Sequence, residues 1–99
     1  MLFDESHERL IDGVNHITVE SGLDQEDFVI EECAEFMKEV TKMRRHKGST
    51  AHMLEEANDI LTALMVLFHR YDVPWSKLED YCTMKWQRAI DRYNDHGET

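Results

Sequence analysis

The sequence predicts an all-α protein, and three observations carry that expectation. Breaks are scarce, with one Pro and four Gly in 99 residues. Good helix formers (Leu, Met, Ala, Glu, Lys, Arg) are plentiful. Apolar side chains recur three and four residues apart in four successive segments. The expected form is a four- to five-helix bundle. A chain of this length holds one domain, residues 1–99. So short a chain buries roughly two-thirds of its surface at best, so homo-oligomerisation is expected to complete the bundle.

The first helix is predicted over about residues 4–20, where Leu10, Ile11, Val14 and Ile17 recur at helical spacing. Gly13 weakens it and is a point where it can divide. Ser21 and Gly22 then mark a turn. The second helix is expected from about Asp24 to Arg45. Asp24 suits the N-cap, and Glu26 and Asp27 suit the positive end of the helix dipole. Phe28, Ile30, Cys33, Ala34, Met37 and Val40 supply its apolar positions. Its basic end, KMRRHKG, suits a C-terminus, with Lys42, Arg44, Arg45 and Lys47 as dipole partners and Gly48 as the closing residue.

The third helix is expected from about Thr50 to Tyr71. From Ile60 onward it is apolar nearly all round, which predicts burial on several sides and, in so small a chain, a subunit interface. A dimer is the minimum, and two dimers paired as a tetramer is the larger form. The fourth helix follows VPWSKLED, where Ser76 and Glu79 make an S-x-x-E capping box after Pro74. It runs through CTMKWQRAIDRYN, and the tail HGET is expected to fray. Trp75 reads as a packing anchor. Trp86 reads as core or interface, with stacking on a base as the sharper alternative.

Composition narrows the function. The formal net charge is −10, so nucleic acid phosphates are repelled and nucleic acid is not an expected partner. A small polyanion remains open, provided a metal ion reverses the local sign. The longest apolar run, ILTALMVLF, is too short to span a bilayer, so no membrane association is expected. The acidic start MLFDESHERL lacks a signal peptide's basic and apolar regions. Cys33 and Cys82 form no paired motif and read as reduced, buried thiols. Together these place the chain in the cytoplasm. The six Met read as core filler, and the six His are scattered and take no role.

Two acidic stretches carry the chemistry. EECAE places Glu31, Glu32 and Glu35 on the second helix, and EEAND places Glu55, Glu56 and Asp59 on the third. Residues three or four apart share a helix face, so Glu32 neighbours Glu35, Glu31 lies one turn from Glu35, and Glu56 neighbours Asp59. Antiparallel packing lets the two pairs face each other. Two carboxylates ~5 Å apart repel by ~3 kcal/mol at an effective dielectric of ~20, so a buried cluster needs a neutralising cation. Mg²⁺ fits an all-oxygen donor set, with Mn²⁺ as substitute. The Cys and His set that zinc requires is missing. A di-iron bundle uses Glu-x-x-His pairs, and Asp4 with His7 is the nearest approach to one. A solvated acidic face explains the same residues without a metal. Against it stands the repetition on two adjacent helices, each set embedded among apolar residues.

The pattern resembles the signature of the MazG-like all-α NTP pyrophosphohydrolases, whose relatives are the dimeric dUTPases and the phosphoribosyl-ATP pyrophosphohydrolases. EECAE (31–35), twenty intervening residues and EAND (56–59) match it in order and gap, and the apolar helix after the Asp matches too. The resemblance covers roughly residues 24–94. It implies that Glu32, Glu35, Glu56 and Asp59 hold Mg²⁺. It implies that Glu31 serves catalysis, as the orienter of the attacking water or as ligand to a further ion. It implies cleavage of a nucleoside triphosphate between its α and β phosphates, giving a monophosphate and pyrophosphate. The last helix, MKWQRAIDRY, resembles the family's closing helix, which makes Lys85 a phosphate binder and Arg92–Tyr93 the closing pair. The sequence departs at Ala89, where Asn is expected. Arg88, one turn from Lys85 and Arg92, compensates in charge.

Two other readings stay open. One is a non-catalytic acidic helical interaction module, in which Lys85, Arg88 and Arg92 are a solvated stripe. The other, within the enzyme class, is phosphoribosyl-ATP as substrate.

Overall fold

A computed structural model describes residues 5–97. Among the described residues there are four helices and no strand: α1 (Glu5–Ser21), α2 (Gln25–Arg44), α3 (Thr50–Arg70) and α4 (Trp75–Gly97). The expected all-α class holds. None of the helices is long and apolar enough to cross a membrane. Asp4, the expected first residue of the first helix, lies outside the described residues. Gly13 does not divide α1.

Local signals set most of the ends. Asp24 is the N-cap of α2, its side chain accepting from the Asp27 N–H at 2.9 Å. Ser49 caps α3, accepting from the His52 N–H at 3.1 Å. Gly22, at φ 70°, follows the end of α1, a conformation that favours glycine.

Two ends depart from expectation. Gly48 does not close α2. His46 takes the left-handed position at φ 58°, donating its N–H to Met43 O, while the Lys47 N–H reaches Lys42 O. That pair of bonds is a Schellman close, which satisfies the last carbonyls without a glycine. Asp72, at φ 56°, closes α3 in the same way, with bonds to His69 O and, from Val73, to Phe68 O. Ser76 is not the residue before α4, as the S-x-x-E pattern predicts, but lies inside it. α4 begins at Trp75, with the Lys77 N–H donating to Pro74 O at 3.0 Å. Pro74 brings a preset backbone angle, and Trp75 packs on Phe68 with ring centroids 5.6 Å apart. The start is thereby fixed before Ser76. The tail does not fray at His96 and Gly97, which remain in α4; the last two residues lie outside the description.

The centre of the fold is the α2–α3 pair, with α1 laid against α3. The pair is antiparallel and fastened at both ends. At one end Glu26 accepts from Arg70 Nη1 at 2.6 Å and from the Tyr71 hydroxyl at 2.5 Å. At the other end Gly48 lies against Met43 and Glu39 so closely that an added Cβ would sit 3.0–3.1 Å from them. On α2 the half-buried residues include Phe28, Glu32, Cys33 and Phe36, while Ile30, Met37 and Val40 are exposed. On α1 the packed positions are Ile11, Val14, Asn15 and Thr18, whereas Leu10 and Ile17 face outward. The expected apolar face of α1 is thus rotated relative to the packed one.

α4 makes no comparable packing against α1, α2 or α3. Trp86, Ile90 and Tyr93 on it are exposed. The third helix is only partly covered, and Ala63 and Val66 are its buried apolar residues. The molecule measures 56 × 36 × 25 Å, with a radius of gyration of 16.9 Å, against ~13 Å for a compact chain of this length.

Candidate metal centre

Glu32 projects from the middle of α2, and Glu56 and Asp59 project from the facing stretch of α3. All three are half-buried, and one oxygen from each lies within 4.8 Å of the others. The helix register causes this. Glu56 and Asp59 are three apart and share one face of α3, and the fastened ends of the α2–α3 pair hold Glu32 opposite them. Partial burial raises the Glu32 carboxyl above the usual range, and the charges of Asp59, Glu56, Glu35 and Glu31 add to it in descending order. Each of these effects disfavours the ionised form. A cation would reverse their sign.

The donor set fits a hard divalent ion. It offers three carboxylates and, among the described residues, no Cys or His in the same group. Such a set favours Mg²⁺ or Mn²⁺ over softer metals.

Of the carboxylates read from the sequence, the structure gathers Glu32, Glu56 and Asp59. Glu35 and Glu31 are exposed on α2 and stand outside that triad of oxygens. Lys85, Arg88 and Arg92 are exposed on α4, the helix that packs least on the α2–α3 pair. Cys33 and Cys82 are free and half-buried.

Sequence reasoning misses two polar groups. Glu39 is buried, with Oε1 unpaired and its nearest cation, Lys42, at 3.8 Å. Its signal was available, since Glu32, Glu35 and Glu39 share one helix face. Asn15 is buried on α1 with Oδ1 unpaired. Its signal was its place in the packed row with Ile11 and Thr18.

The fold and the site together describe an all-helical chain with a carboxylate triad between two antiparallel helices. Set against models of known protein families, curated proteins and solved structures, the chain matches none of them.

Proposed function

We propose that this chain is a MazG-like nucleoside triphosphate pyrophosphohydrolase, dependent on Mg²⁺, cytoplasmic and active as a homo-oligomer. One observation carries the reading. The E-E-x-x-E and E-x-x-D stretches supply three carboxylates that meet in space, with oxygens within 4.8 Å.

Glu32, Glu56 and Asp59 would hold the cation, and Glu35, one turn along α2 from Glu32, would extend the donor set. When bound, Mg²⁺ or Mn²⁺ supplies charge neutralisation of the polyphosphate and polarisation of its phosphoryl oxygens. The exposed Glu31 carboxylate accepts a proton from the water that attacks the α phosphorus. The bond from that phosphorus to the bridging oxygen breaks, and the bridging oxygen leaves with pyrophosphate. Lys85, Arg88 and Arg92 lie three, four and seven residues apart and form one stripe on α4. That stripe binds the phosphate oxygens.

The oligomer is supported by area. The chain exposes 8102 Å², whereas a compact monomer of its mass exposes roughly 5,900 Å². The excess is roughly 2,000 Å² per chain, or roughly 4,000 Å² over two copies, which is in the range that obligate homodimers bury. A second copy packed on Trp86, Ile90 and Tyr93 covers the apolar side of α4. It also lets the basic stripe of one copy reach the carboxylates of the other.

The test is pyrophosphate release from a panel of NTPs and dNTPs with Mg²⁺, beside Glu56→Gln and an EDTA control. Release that needs both the metal and Glu56 supports the enzyme. No release from any substrate, with no thermal stabilisation by Mg²⁺, returns the carboxylates to an acidic interaction surface. Sedimentation tests the oligomer: a stable monomer at micromolar concentration overturns it. A Trp86→Glu, Ile90→Glu double variant is expected to dissociate an existing dimer.

A further inference from the structure

We propose a second ligand site, on the α1–α3 seam where α4 begins, for a planar aminoheterocycle of one or two rings. A cavity of about 180 Å³ lies there. It is close in size to cavities of ~150 Å³ that admit a benzene ring, and below the ~300 Å³ at which sites for larger ligands begin. Its walls are apolar and aromatic. Phe68 and Trp75 stand 5.6 Å apart with their rings tilted by 41°, and Met65 lines the space beside them. Flat rings pack against such walls in offset or edge-to-face geometry.

The polar groups select the ligand. Asn15 lines the cavity, is 5 % exposed, and has its Oδ1 buried without a hydrogen-bond partner. Buried acceptors are nearly always satisfied, so this oxygen calls for a donor, from a water or from a bound group that displaces it. Asp12, exposed and also lining the cavity, adds an acidic acceptor. His69 lines the same space. The site thus sets the Asn15 and Asp12 acceptors beside the Trp75 indole N–H donor, and an aminoheterocycle, which donates from its amino or N–H groups and accepts at its ring nitrogens, fits it.

The same chemistry excludes a nucleotide. Lys and Arg are missing from the lining, and Asp12 would repel a phosphate. The carboxylate triad is also distant, because Asp59 and Phe68 are nine residues apart on α3, a rise of ~13 Å. The site does not depend on the metal reading.

The test uses the whole chain, labelled with ¹⁵N, titrated with 2-aminobenzimidazole, adenine and cytosine, and with toluene as a ring without donors. Saturable shifts at the Asn15 side-chain amide and the Trp75 indole N–H are expected with at least one aminated ring. Asn15→Leu, which keeps the bulk and removes the acceptor, is expected to weaken that ring at least tenfold. Toluene should be unaffected or tightened. If Asn15→Leu does not fold, competition between the aminated ring and toluene on the unaltered chain asks the same question. Absence of saturable shifts with every aminated ring overturns the proposal. So does toluene binding more tightly than all of them, or an Asn15→Leu variant that binds the aminated ring unchanged.

Discussion

Replacing Glu56 with Gln removes one negative charge from the cluster and keeps the length of the side chain. The magnitude follows from the geometry. Oxygens of Glu32, Glu56 and Asp59 lie within 4.8 Å of one another, and two charges at that distance repel by ~3 kcal/mol at an effective dielectric of ~20. All three residues are partly exposed, and solvent screening reduces this towards ~1 kcal/mol per pair. Glu56 belongs to two of the pairs, so its neutralisation should stabilise the metal-free protein by about 1–2 kcal/mol. For a domain of this size each kcal/mol moves the melting temperature by ~4–8 °C. The variant in EDTA should therefore melt ~5–10 °C above the unaltered chain.

Metal reverses the ranking. A cation that binds only the folded state at one hundred times its Kd adds ~2.7 kcal/mol. The unaltered chain should gain that and Glu56→Gln should not. The assay is thermal melting at one fixed protomer concentration, in EDTA and across a MgCl₂ series. A variant that melts lower than the unaltered chain in EDTA, yet rises with Mg²⁺ just as steeply, refutes the reasoning. Glu56 would then be a structural partner, and the three carboxylates would not act as one centre.

Three further outcomes are expected. The metal-free chain should become more stable, relative to Glu32→Gln, as pH falls from neutrality towards the ordinary Glu value of ~4.3. The Glu32 carboxyl is raised in the folded state by partial burial and by Asp59 and Glu56. The folded state therefore binds more protons than the unfolded one between the ordinary Glu value of ~4.3 and the raised one, and its relative stability is lost as pH rises through that window; urea midpoints in EDTA read the difference. Gly48→Ala should destabilise by about 1–2 kcal/mol, because the new Cβ meets Met43 Sδ at 3.0 Å and both Glu39 Oε1 and the Met43 backbone nitrogen at 3.1 Å. The sulfur can swing aside but the backbone cannot, so the strain of overpacking outweighs the smaller gain from a stiffer unfolded chain; denaturant midpoints check it. His46→Gly should raise stability by ~0.5–1 kcal/mol, since His46 sits at φ 58° where a side chain is strained, and an unchanged or lower urea midpoint would count against it.

The helices were legible because their signals are local. Asp24 announces α2 through its side chain, and periodic apolar positions announce all four segments. What was not legible depends on which face meets which neighbour. Leu10 and Ile17 look like core by spacing, yet α1 turns Asn15 and Thr18 inward instead. The start of α4 was misplaced because a sequence-local capping box competed with the Phe68–Trp75 contact, and the contact is tertiary. Likewise Gly48 suggests a helix stop, but its lack of a side chain serves a close approach to Met43 and Glu39. For the site, spacing alone put Glu56 beside Asp59. Bringing Glu32 to them required the α2–α3 register, which no single stretch encodes.

That register bears on why a repulsive cluster can sit in so small a core. Three carboxylates between two helices push those helices apart at their middle. The pair resists because it is tied beyond the cluster on both sides, by Arg70 and Tyr71 on Glu26 at one end and by the tight seat of Gly48 at the other. Between the ties lie Ala63 and Val66, the buried apolar residues of α3, a short distance along the helix from Asp59. A small residue there lets the backbones approach, so the carboxylates are held near one another before any ion arrives. A cation bound there would need little reorganisation, and the repulsion already present would become part of the free energy its binding releases. Among the described residues, α4 packs far less closely on the other helices than α2 and α3 pack on each other. The α2–α3 seam is complete with two helices and part of α1, so the exposed Trp86, Ile90 and Tyr93 have no core of their own to enter.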